Sequence, residues 1–241
     1  MKILRMLYAL FTYLMMGLVL LGFLFFFENV FLDKTVSLPL VESFSWQSLF
    51  LDIGLIGLFG IQHSIMARDW FKRFITFLVP ASVERVTYIL LTNIVIGLLI
   101  WQWKPFGNVL WDVRGHELGY ILYTLSFMGL IITGISVVLI STREFIGLEQ
   151  LNHGKGNFKK VFVQPLFYKY VRHPIYFGLI LALWTVPLLT WSSLLFNIGM
   201  TIYIIIGALL EERNLVLAFG NDYKKYQKEV PMLIPFLKIF K

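Results

Sequence analysis

Tyr168-Lys-Tyr-Val-Arg-His-Pro-Ile-Tyr-Phe-Gly178 leads into an apolar tract that runs from Ile175 to Leu210 and closes on Leu210-Glu-Glu-Arg-Asn-Leu215. The tract is 36 residues long, whereas one helical crossing of a bilayer takes about 20. Pro187, followed by Thr190-Trp-Ser-Ser193, interrupts it. The tract is therefore expected to fold as a tight helical hairpin, residues 175–189 and 194–210. A hairpin returns Glu211, Glu212 and Arg213 to the membrane face that carries Arg172 and His173. Charge at the end of a membrane-length segment is costly unless it is hydrated, paired or used, so two clusters distant in sequence become one candidate site.

Composition sets the class. Of 241 residues, 58% are hydrophobic and 15% charged, and the mean hydropathy is +0.76; soluble domains stay near ~45–50% apolar. The expected fold is an all-α integral membrane protein with five to six transmembrane helices. The spans fall at about residues 7–27, 49–66, 82–101 and 116–140, followed by the 175–210 hairpin. Residues 1–48 read as a first helix and external loop, and 49–241 as the core that carries the site. The start of the chain is basic like a secretory signal, but its apolar run of about 20 residues is too long for a signal core, which suits a retained helix.

The net charge of +7 reads as loops facing an anionic leaflet rather than as affinity for nucleic acid. Lys and Arg number two before the first span, one in the first loop, four in the second, two in the third, six in the fourth and six in the tail. An N-inside chain with six crossings puts every rich segment on the cytoplasmic side. The absence of cysteine excludes disulfides, thiolate metal sites and a cysteine nucleophile. His63, His116, His153 and His173 are too few and scattered for a metal site, so no metal is expected. No metalloprotease helix, nucleophile elbow or dinucleotide fingerprint is present.

Smaller signals carry further expectations. Gly54, Gly57 and Gly60 recur every third residue and predict a smooth strip for helix packing. Gln62, His63 and Ser64 end the second span as a polar trio, either in the headgroup region or turned toward a site. Arg68 to Val79 mixes basic and aromatic residues as a short amphipathic surface helix does, and Ser82 looks like the cap of the next span. Trp101, Trp103 and Trp111 mark an aromatic belt. Gly154-Lys-Gly-Asn157 reads as a turn.

The composition of the site suits a ligand with both signs of charge. Arg172 can hold a carboxylate through two parallel hydrogen bonds. Glu211 or Glu212 can neutralise a cation or hold a diol, and Tyr168, Tyr170, Tyr176 and Tyr203 offer ring faces to a cation. The same residues would equally staple membrane helices with no ligand, and the sequence leaves both readings open.

Arg172-His-Pro-Ile-Tyr-Phe-Gly178, Leu210-Glu-Glu-Arg213 and Gly220-Asn-Asp-Tyr-Lys-Lys-Tyr226, in this order and spacing, resemble the signature of the isoprenylcysteine carboxyl methyltransferase-like superfamily of membrane methyltransferases. Within it, the branch of methanethiol S-methyltransferases and their NnrU-type relatives looks nearest. Gln62-His-Ser-Ile-Met-Ala-Arg68, Lys72-Arg73, Glu84-Arg-Val-Thr-Tyr88, Trp101-Gln-Trp103, Phe145-Ile-Gly-Leu148, Thr185-Val-Pro187 and Val230-Pro-Met-Leu-Ile-Pro235 carry that likeness. One segment departs from the pattern. Ser141-Thr-Arg-Glu-Phe-Ile-Gly-Leu-Glu-Gln150 puts Glu149 where the family's arginine is expected.

The resemblance implies transfer of a methyl group from S-adenosyl-L-methionine to a small thiol, giving a thioether such as dimethyl sulfide. On that footing Arg172, His173, Tyr176, Gly178 and Glu212 are the expected cofactor-binding residues. Arg213, pairing with Glu211 or steering the thiolate, Glu211 itself and His63 are the candidates for the chemical step. The expected partners are a small thiol and the lipid bilayer, with neither nucleic acid nor metal. The resemblance leaves open a lipid or other large acceptor, and a non-enzymatic role in nitrogen-oxide metabolism.

Overall fold

A computed structural model describes residues 2–145 and 162–237, with side chains for all of these except 141–145. Glu149, the departure at 146–150 and the turn at 154–157 lie outside the described residues. Among the described residues the fold is all-α apart from one two-stranded ribbon. Its helices are α1 (Lys2–Glu28), α2 (Trp46–Met66), α3 (Asp69–Ile75), α4 (Glu84–Gln102), α5 (Glu117–Phe145), α6 (Pro174–Trp184), α7 (Trp191–Phe219) and α8 (Asn221–Glu229). Five of them, α1, α2, α4 with the turn before it, α5 and α7, are long and apolar enough to cross a membrane. The protein is thus a multi-pass helical membrane protein.

The last apolar tract breaks as the sequence predicts, but not at equal halves. Pro187 lies between α6 and α7, yet α6 has only 11 residues, about 16 Å of helix at 1.5 Å per residue. A helix of that length falls well short of the ~30 Å hydrocarbon core. The return helix α7 runs 29 residues, from Trp191 to Phe219, and so carries Glu211, Glu212 and Arg213 inside a helix rather than beyond its end.

The chain divides into two compact units, the first made of residues 2–112 and 188–199, the second of residues 113–142, 162–187 and 200–237. In the first unit, α4 packs on α1 and α2. Polar side chains stitch these helices where water is absent: the Tyr8 hydroxyl donates to Thr87 Oγ1 at 3.1 Å, Asn93 Nδ2 to the Thr12 carbonyl at 3.3 Å, and Gln62 Nε2 to Thr92 Oγ1 at 3.3 Å. Trp103 is fully buried against the edges of Phe26 and Phe196. Its indole N–H lies 3.1 Å from the Val36 carbonyl and 3.0 Å from Ser192 Oγ. Trp103 is therefore a core residue rather than part of the belt, because a buried indole needs an acceptor and finds two here; Trp101 and Trp111 stay exposed. Strand β1 (Val109–Asp112) pairs antiparallel with β2 (Leu188–Thr190) in this unit.

Two further expectations are corrected. Ser82 does not cap α4; a 3-10 turn, Ala81–Val83, leads into the helix and Val83 occupies the cap position with no side-chain bond. A Cβ added at Gly54 or Gly57 would meet nothing within 4 Å among the described residues, so no described helix packs closely at these two glycines.

Close packing occurs instead in the second unit, between α5 and α6. A Cβ at Gly178 would lie 2.5 Å from Thr133 Oγ1 and 2.9 Å from Thr133 N, and one at Gly129 would lie 2.5 Å from the Gly178 carbonyl oxygen. Ser126 Oγ donates to the Ala182 carbonyl at 3.3 Å and Thr133 Oγ1 to the Ile175 carbonyl at 3.2 Å. Small residues bring the two backbones together and hydroxyls then bond across them. Replacing Gly178 with alanine should therefore lower stability by about 1–3 kcal/mol through overpacking, measured by thermal unfolding in detergent; an unchanged midpoint would contradict the close approach.

Candidate functional site

Pro174 at the first position of α6 costs the helix no hydrogen bond and presets its backbone, while His173 sits just before it at the cap. The backbone N–H groups of Arg172 and His173 donate to the carbonyls of Pro231 and Met232 at 2.9 and 3.1 Å. The start of α6 is thus held to the segment after α8, and both side chains point into the same buried region.

Arg172 is 4% exposed and its guanidinium is almost fully engaged within the chain. Nε donates to Glu212 Oε1 at 2.5 Å and NH2 to Glu212 Oε2 at 3.2 Å. NH1 donates to the carbonyls of Gln227 and Val230 at 2.9 and 2.5 Å, which belong to the C-terminal end of α8, where carbonyls lack helical partners. Four of the five guanidinium donors thus serve the fold. Glu212 is saturated in turn: Gln227 Nε2 donates to Oε2 at 2.7 Å, the Tyr223 hydroxyl to Oε1 at 3.4 Å, and His173 Nε2 lies 3.3 Å from Oε1.

Aromatic rings close the region. Tyr223 and Tyr226 pack with Phe162 in one cluster, and the Tyr226 hydroxyl donates to the Tyr168 carbonyl. Burial, and after it the Glu212 carboxylate, hold the Tyr223 phenol well above the usual tyrosine range. It remains a donor wherever the carboxylate is charged.

The neighbouring residue has a different environment. Consecutive helix positions are about 100° apart, so Glu212 points inward and Glu211 outward, with 47% of its side chain exposed. Glu211 Oε2 accepts from the Tyr176 hydroxyl at 3.0 Å and lies 3.6 Å from His173 Nδ1. The rings of His173 and Tyr176 stack at 5.4 Å with 21° between planes. His173 therefore links the two carboxylates, one buried and one half-exposed. Arg213 is exposed, and among the described residues no ion pair joins it to Glu211.

The structure thus brings Arg172, His173, Tyr176, Glu211 and Glu212 together, as the hairpin reading expected. For Arg172 and Glu212 the geometry is that of the staple. Gly178, in the same helix, has its open side filled by α5. His63 belongs to the first unit, where its Nε2 is 2.7 Å from the Tyr88 hydroxyl and the Arg85 guanidinium lies over the Tyr88 ring at 4.7 Å. Sequence reasoning missed Gln227, Tyr223 and the Val230 and Gln227 carbonyls as partners of the pair. The signals for them were the polar run of Asn221–Glu229 after an apolar helix and the motifs Gly220–Tyr226 and Val230–Pro235 that carry the family resemblance.

Against known proteins, the chain is 38% identical over 238 residues to methanethiol S-methyltransferase 1 of Bradyrhizobium diazoefficiens, covering 98% of this chain and 83% of that one. It belongs to the methanethiol S-methyltransferase family. Another member, the methanethiol S-methyltransferase of Pseudomonas deceptionensis, is 40% identical over 214 residues, 87% of this chain and 81% of the relative. That of Mycobacterium tuberculosis is 38% identical over 214 residues, covering 88% and 87%. No protein-family profile and no solved structure matches the chain. The match to the Bradyrhizobium family member leaves only 2% of the chain outside it, so both units fall within the family.

The different burial of the two glutamates gives a direct test. Glu212→Gln removes one partner of a buried pair and should cost about 3–5 kcal/mol of stability, whereas Glu211→Gln, at an exposed position, should stay within about 0.5 kcal/mol. Chemical denaturation of the purified protein reads both; equal losses would contradict the assignment of Glu212 to the frame.

Proposed function

We infer that this chain is a membrane methyltransferase that converts methanethiol to dimethyl sulfide, with S-adenosyl-L-methionine as methyl donor. The observation that carries this reading is likeness to methanethiol S-methyltransferases across 98% of the chain. The bacterial sources of the matching methanethiol S-methyltransferases support a location in the bacterial cytoplasmic membrane.

The donor set fits a zwitterionic nucleoside cofactor. Tyr176 and His173 offer a stacked pair of rings to the nucleoside and the sulfonium, and exposed Arg213 is the guanidinium suited to the cofactor carboxylate. Arg172 and Glu212 hold these groups in place rather than touching the ligand. When bound, S-adenosyl-L-methionine supplies a methyl group activated by its sulfonium.

The residues themselves supply position and a proton acceptor. Methyl transfer to sulfur demands alignment of the reacting atoms and a deprotonated thiol, since the thiolate is the nucleophile. We assign the acceptance of the thiol proton to Glu211, whose other contacts, Tyr176 and His173, fix its orientation. His63 takes no assigned step and serves its unit through Tyr88.

Cells expressing the chain and fed methanethiol should release dimethyl sulfide into the headspace, measured by gas chromatography. Glu211→Gln at equal membrane abundance should reduce the rate by about 10²-fold or more. No dimethyl sulfide above an empty vector, with cofactor binding intact, would move the acceptor to a larger molecule. Loss of both would leave a non-enzymatic protein.

A further inference from the structure

The first unit carries a second feature that methyl transfer does not use. A groove of about 460 Å³ lies on α1 and α4 and is lined by Leu18, Gly22, Gly97, Ile100 and Trp101, with Asp33 and Lys34 also on its wall. The two glycines do not serve close packing. A Cβ at Gly97 would meet nothing within 4 Å among the described residues, and one at Gly22 would come no nearer than 4.0 Å, to Ile100 Cδ1. They leave a notch in the apolar surface of two membrane-length helices.

The groove has two chemically different parts. Its glycine and leucine floor lies along the helices, whereas Trp101 stands next to the end of α4 at Gln102 and Asp33 and Lys34 follow the end of α1 at Glu28. Both charged residues are exposed. The Lys34 ammonium donates to the Trp101 carbonyl, which fixes its head beside the groove and uses one of its three donors. An amphiphile therefore fits, its acyl chain in the notch and its headgroup at the mouth. Adjacent charges of opposite sign complement a headgroup that carries both, the phosphate meeting Lys34 and the ammonium meeting Asp33.

We propose that this groove is a binding site for one phosphatidylethanolamine molecule. The site is independent of the methyl-transfer chemistry, and its test does not read that activity.

The full chain, purified in mild detergent and stripped of lipid, is titrated with phosphatidylethanolamine and with phosphatidylglycerol of the same acyl chains and followed by native mass spectrometry. The site should saturate at one phosphatidylethanolamine per chain, in preference to phosphatidylglycerol. Gly97→Leu fills the notch and improves helix propensity; it should weaken binding about tenfold or more. Asp33→Asn, on the exposed loop, should abolish the preference while leaving phosphatidylglycerol binding intact, and it carries the test if Gly97→Leu does not fold. Adducts that do not saturate, equal binding of the two lipids by the unaltered chain, or unchanged binding in a folded Gly97→Leu protein would each overturn the proposal.

Discussion

The second unit depends on one ion pair. Taking an arginine and a carboxylate out of water carries a desolvation penalty that their mutual attraction offsets only when geometry is good and the remaining donors and acceptors are satisfied. Both conditions hold for Arg172 and Glu212. Two parallel contacts join them, and the other guanidinium donors in use go to the Gln227 and Val230 carbonyls. Three stretches of chain therefore meet at a single guanidinium: the start of α6, the last third of α7 and the end of α8. An arginine is the residue suited to this, because a lysine offers three donors on a point charge and no planar fork.

What the pair positions is the exposed side of the same cluster. His173 contacts the buried carboxylate with one ring nitrogen and faces the open one with the other. The placement of Glu211 and Tyr176 thus follows from the buried pair. A small thiol offers few groups to recognise, so a site acting on it relies on alignment more than on many contacts.

Much of this was legible in the sequence, and the limits have physical causes. Rare charges flanking a long apolar tract marked Arg172, His173, Glu211 and Glu212, and a hairpin interrupted near Pro187 brought them together. Sequence could not say which glutamate is buried, since helix rotation is set by packing. It also left open whether Arg172 grips a ligand or staples helices, because the carbonyl acceptors that engage it lie at the end of a helix more than fifty residues later. Trp103 looked like an interfacial anchor by composition and proved to be core, as its acceptors Val36 and Ser192 come from distant segments. The glycine strip of α2 was visible but unused at Gly54 and Gly57, whereas the close approach runs through Gly129 and Gly178; spacing alone does not reveal which neighbour arrives.

The central role of the pair is most directly tested by a double-mutant cycle on folding stability with Arg172→Met, Glu212→Leu and both together. If the two side chains sustain each other, the double variant loses less than the sum of the singles, with a coupling of about 2–3 kcal/mol. Strict additivity would contradict the pair as the frame of the site.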